Sequence, residues 1–237
     1  MRPLVHLALL RLARDRAALL LTVGTAPLFA LGYAAFNEAP QGYLASLLVF
    51  SVLMSQFSAA VAAARERETG TLLLLLATPQ PSPLLASALL LPHLLTALAS
   101  HALTLLAAAA TGALPVTTAT SVALTLLICL GGSAASSGVG FVVAAFTRSL
   151  IHAFLLTSLL MFLQLLCAGL LFPAPDHPLV SMLPTHPLRE AVAGQLGLGP
   201  EVGRGTSLAL AGHALLLPTI GSLLLIARTR AAVGDRA

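Results

Sequence analysis

The 237-residue chain is 58% hydrophobic and 8% charged, with a mean hydropathy of +0.97; a soluble domain carries about 25% charged residues. A soluble fold of this length keeps roughly 30% of its unfolded surface wet and could not hide so much apolar area, so an all-α polytopic membrane protein is expected. All 12 basic residues are arginine, which excludes the lysine-dependent P-loop and Schiff-base chemistry. ATP hydrolysis through a Walker A loop of its own is therefore ruled out.

The net charge of +4 does not point to nucleic acid, because the arginines stand in ones and twos between apolar runs, as membrane topology requires. Residues 1–16 read as a cytoplasmic helix lying in the interface, with Leu4, Val5, Ala8, Leu9 and Leu12 toward lipid. A signal peptide fits less well, since the apolar run that follows is longer than an h-region of about 7–15 residues. Spans of about 20 apolar residues are expected at 17–36, 43–64, 84–114, 115–146, 150–172 and 206–227. The third and fourth are longer than one crossing needs, with Pro92 and the Gly131-Gly132 pair as places for a kink.

Charge orients the six spans. Arg2, Arg11, Arg14, Arg16, Arg65, Arg67, Arg148, Arg228, Arg230 and Arg236 fall on one side, against Arg189 and Arg204 on the other. The positive-inside rule then places both termini in the cytoplasm of a multi-pass protein of the inner (plasma) membrane.

Two connections are informative. Residues 65–83 run through Arg65-Glu66-Arg67-Glu68-Thr69-Gly70-Thr71, then Leu72 to Leu76, then the proline run Pro79, Pro81, Pro83. Five leucines cannot cross a bilayer, so a short helix along the cytoplasmic surface is expected; a solvated loop with stop-transfer charges is the plainer reading. The external connection 173–205 holds Pro173, Pro175, Pro178, Pro184 and Pro187 with several glycines. Its short apolar pieces suit re-entrant or surface helices.

The segment Glu66-Arg67-Glu68-Thr69-Gly70-Thr71-Leu72, with Ala77-Thr78-Pro79 after it, resembles the motif between the second and third spans of type-2 ABC exporter permeases. Phe146-Thr147-Arg148-Ser149, Gly169 to Pro173 and Pro184-Thr185-His186-Pro187-Leu188 resemble later motifs of that family, in the same order. Leu73 stands where members often carry an acidic residue. The haem-exporter membrane subunit of cytochrome c maturation is similar in span number and cytoplasmic segment, and is the second choice. The resemblance implies a permease without its own ATPase domain, paired with a separate ABC ATPase that binds ATP and Mg, and with a second permease copy or a related permease. It also implies that Arg65, Glu66, Arg67, Glu68, Thr69, Gly70 and Thr71 belong to a coupling helix seated on that ATPase, its leucines supplying most of the docking area.

Substrate handling is less legible. Gln56 on the second span, with Thr157, Met161, Gln164 and Ala168 on one face of the fifth, form a candidate path for a hydrophobic or amphipathic cargo; isolated interhelical hydrogen bonds are the plainer alternative. The Gly132, Ser136, Gly140 series reads as helix packing. Cys129 and Cys167 lack metal or disulfide spacing, and His93, His101, His152 and His213 have no mid-span acid to complete a metal site. A membrane enzyme built on these His and Ser residues is the competing class, with no cofactor or metal of its own implied by either reading.

Overall fold

The computed structural model describes residues 16–36, 41–77, 81–167, 183–200 and 203–234. They form α1 (Arg16–Phe36), α2 (Gln41–Glu68), α3 (Thr71–Leu76), α4 (Ser82–Ala110), α5 (Ala119–Phe146), α6 (Leu150–Cys167), α7 (Thr185–Gln195) and α8 (Arg204–Gly234). Of the described residues 88% are helical and none is in a strand, which agrees with the all-α polytopic expectation. The expected interfacial helix at 1–16 lies outside the described residues except for Arg16, as do Ala168 and the proline-rich start of the external connection.

Five helices, α1, α2, α4, α5 and α8, are long and apolar enough to cross a membrane, and α6 is a shorter apolar one. The described part of α6 has 18 residues, about 27 Å at 1.5 Å per residue, close to the roughly 30 Å of a hydrocarbon core. α2 has 28 residues, about 42 Å long. It therefore stays helical through Arg65-Glu66-Arg67-Glu68, which the sequence reading assigned to the connection. Arg and Glu are good helix formers, so the helix runs past the apolar layer instead of ending at it.

Local chemistry sets the ends. Gly70, Gly112 and Gly197 all have positive φ, and each follows a helix. At Gly112 and Gly197 the amide pairs two residues inside the helix end (Ala109 and Gly194), and the next amide reaches the carbonyl of Ala108 or Ala193 at 2.8 Å. This is the Schellman arrangement that only glycine enters without strain. Thr118 caps α5 by accepting the Ser121 amide, and Pro81 followed by Pro83 opens α4. α4 continues as a helix through Pro92.

α5 is the centre of the bundle, packed most extensively against α8 and α2. Glycine makes the approach possible. A Cβ on Gly140 would overlap the Gln56 carbonyl, and one on Gly138 would overlap the backbone of Leu217 and Pro218. At Gly132 it would lie 2.9 Å from a Leu188 methyl and 3.3 Å from Val52. Gly132 and Gly140 thus act in packing, as the small-residue spacing suggests. Leu188 belongs to α7, so this short helix reaches the middle of α5, about 20 Å from that helix's start. Its Thr185, Pro187, Leu188, Ala191 and Val192 are buried, which shields the backbone at that depth with protein.

The core divides by height. One cluster gathers Leu44, Leu48, Val52, Leu105, Cys129, Leu188 and Leu196; the other gathers Ala59, Ala63, Leu72, Leu75, Leu85, Phe141 and Leu225. The second lies at the end of the bundle that holds Arg65, Arg67, Arg148, Arg228 and Arg230. Ring contacts of Tyr33 with Tyr43 and Phe29 with Phe50 run α1 antiparallel to α2, bringing Arg16 to the same end. The alternation of helices thus separates an arginine-rich end from an end closed by α7.

Candidate functional site

The arginine-rich end is built around the α2–α3 junction. Arg65, Glu66, Arg67 and Glu68 form the last turn of α2, Thr69 and Gly70 the turn, and Thr71 the first residue of α3. Gly70 adopts φ +74°, and no atom lies within 4 Å of a Cβ placed there. Backbone handedness, not lack of room, therefore selects glycine. Thr69 Oγ1 donates to the Arg65 carbonyl at 3.0 Å and pairs with Thr71 Oγ1 at 2.9 Å, bracing the turn from outside.

α3 is pinned rather than loosely laid on a surface. Leu72 is 0% exposed and Leu75 8% exposed, both packed into the lower core, while Leu74 is 74% exposed. Of the five leucines expected to supply docking area, Leu72 and Leu75 are thus turned inward. A short helix has one inward face, and here Leu72 and Leu75 on that face are spent on the chain's own core, with α2 and α8 as the chief neighbours. What α3 presents outward is Leu74, flanked by exposed Arg65, Glu68 and Thr69.

The charged cluster is also partly occupied inside the chain. Arg67 donates from Nη1 to the Ala144 carbonyl at 2.6 Å and from Nη2 to the Thr147 carbonyl. Glu68 Oε1 accepts the Leu150 amide at 2.6 Å. Arg67 thus sits on the last carbonyls of α5 and Glu68 on the first amide of α6, each charge matched to the helix pole it meets. Ser149 completes the α6 cap by accepting the His152 amide at 3.3 Å, and Arg228 stacks on the Phe146 ring at 4.7 Å.

A model of the family described as ABC-2 type transporter matches residues 4–193. The chain belongs to that family. It is a type-2 ABC transporter permease, a transport subunit of the membrane. No curated protein matches it.

Within the permease, the predicted path residues occupy two helices. Gln56 is fully buried on α2, with neither amide atom partnered among the described residues. Thr157 is fully buried on α6, its hydroxyl likewise unpartnered, and Met161 and Gln164 are partly exposed along the same face. That face turns toward α2, against which α6 chiefly packs. The opposite face exposes Ile151, Leu155, Leu159 and Phe162.

Sequence reasoning missed a polar seam through the bundle. Ser51 pairs with Ser100 at 2.8 Å, Ser58 with His93 Nδ1 at 3.2 Å, and His101 Nε2 with Ser133 at 3.0 Å. All three pairs bring α4 to α2 or α5. The available signal was on α4, where His93, Thr96, Ser100, His101 and Thr104 recur at helical spacing. From sequence the histidines are weighed only as metal or catalytic candidates and are not joined to this polar spacing. Among the described residues no three His, Cys, Asp or Glu side chains converge on a metal site.

Proposed function

We propose that this permease is the membrane subunit of an ABC exporter whose energy comes from a separate ATPase, with both termini and α3 on the cytoplasmic side of the inner membrane. The observation that carries the reading is α3 itself. It is a short helix packed on α2 and α8, with Leu72 and Leu75 buried in the core at the arginine-rich end and Leu74 turned outward. A lever needs such an arrangement: firm attachment to the spans and an exposed contact for the partner. The family implies an ABC ATPase as that partner and typically a second permease copy. The ATPase would hold ATP and Mg, because this chain has no lysine for a P-loop.

The cargo is an apolar or amphipathic molecule passing along the α2–α6 faces that carry Gln56, Thr157, Met161 and Gln164. Only neutral polar groups occur there, which suits such a cargo better than an ion or proton relay. The test is co-purification of the ABC ATPase with the permease, together with ATP turnover. Leu74→Glu and Gly70→Val are expected to release the ATPase while the permease still inserts and stays folded. Retention of the ATPase and of ATP-driven export in both variants would overturn the reading.

A further inference from the structure

Arg67 and Glu68 fall within the coupling segment, yet both hold backbone groups elsewhere in the same chain. Three hydrogen bonds from two adjacent side chains span the whole α5–α6 turn: Ala144 and Thr147 on one flank, Leu150 on the other. The bonded positions are 77 to 82 residues away in sequence, so this is tertiary clamping and not local capping. The guanidinium meets the partly negative carboxyl end of α5, and the carboxylate meets the partly positive amino end of α6. Between the two anchor points Arg148 stands exposed.

We propose that Arg67 and Glu68 are transmission residues: they fasten the α5–α6 turn to the base of α3, so that displacement of α3 moves the facing ends of α5 and α6 with it. This rests on the reading of α3 as the coupling helix. Charge-assisted bonds to backbone suit the role, since they hold two points of the turn in fixed register and are stronger than neutral ones. A mere surface ion pair would be loose and worth little. The consequence is a composite cytoplasmic surface, in which α3 and the exposed Arg148 move as one body. α6, whose Thr157 face lies against α2, is then the helix whose position nucleotide binding in the ATPase would change.

The test is hydrogen–deuterium exchange on the purified permease–ATPase complex, with and without Mg-ATP and vanadate. In the unaltered complex, nucleotide is expected to change exchange in both 69–76 and 147–153. In Glu68→Ala and in Arg67→Gln the response is expected to persist at 69–76 and vanish at 147–153, and in Glu68→Ala basal exchange of the Leu150 amide should rise roughly fivefold, the scale of a lost helix cap. Glu68→Gln, which keeps an acceptor oxygen, should restore much of the response. If the variants keep the response at both segments, or lose it at both, the transmission role is overturned. No response at 69–76 in the unaltered complex would overturn the coupling-helix reading itself, and the two failures are therefore distinguishable. Because Glu68 is exposed, its variants carry the test if Arg67→Gln does not assemble.

Discussion

Replacing Gly138 by alanine tests the central α5–α8 packing directly. A Cβ at this position would overlap the carbonyl carbon and oxygen of Leu217 and the nitrogen of Pro218, all backbone atoms. A side chain could rotate aside; a backbone cannot, so α8 has to withdraw by at least about an ångström to reach the nearer limit of the ~3.5–4.0 Å contact distance. A gap of that size forfeits a quarter to a half of each neighbouring contact energy. Overpacking of this kind costs about 1–3 kcal/mol, and here the upper end applies. The gain from alanine over glycine within a helix returns about 0.5–1 kcal/mol, leaving a net loss near 2 kcal/mol. For a chain of this size that corresponds to a midpoint lower by about 4–8 °C. Cys129 is fully buried, so reaction of its thiol with a fluorogenic maleimide on heating, in a Cys167→Ser background, reports unfolding. Gly212→Ala is the control, because nothing lies within 4 Å of its added methyl, and it should leave the midpoint level or raise it slightly. Equal midpoints for Gly138→Ala and Gly212→Ala would refute the claim that glycine is there for backbone approach.

Leu72→Ala should destabilise by about 2–5 kcal/mol, as for other fully buried leucines, whereas Leu74→Ala should leave the same thiol-detected midpoint within about 1 °C. His101→Leu and Ser133→Ala should each cost about 1–3 kcal/mol by orphaning a buried partner. Their double mutant should cost less than the sum, and strict additivity in that cycle would show that the 3.0 Å pair contributes nothing. Gln56→Leu should raise stability, since an unsatisfied buried amide costs about 1–3 kcal/mol, while abolishing stimulation of ATP turnover by the lipids or small molecules that stimulate the unaltered complex. A variant that keeps that stimulation would remove Gln56 from the path.

Much of the architecture was legible because membranes impose long, uninterrupted apolar runs. The separateness of the leucine segment was legible too, but the end of α2 was not: the apolar run stops at Ala64 and the helix continues to Glu68. Which leucines face inward was not: Leu72, Leu74 and Leu75 are chemically identical, and only neighbouring helices distinguish them. The same holds for the seam. The polar spacing along α4 can be read locally, but pairing Ser100 with Ser51, or His101 with Ser133, depends on which spans become neighbours. For α7 the sequence left a re-entrant and a surface position both open; its Leu188 packs against Gly132, well inside α5.

The absence of lysine and the run of apolar segments are properties of the chain alone; the apolar runs suffice to make it a polytopic membrane protein, and the missing lysine removes the P-loop amine from this sequence. Composition acts through transfer free energy, which is additive along the chain and blind to contacts. The roles of Arg67 and Glu68 are of the other kind. In the linear sequence they are half of a four-residue charge cluster, indistinguishable from Arg65 and Glu66. Folding brings the poles of α5 and α6 beneath them, and electrostatic complementarity at a few ångströms then gives each charge its own partner.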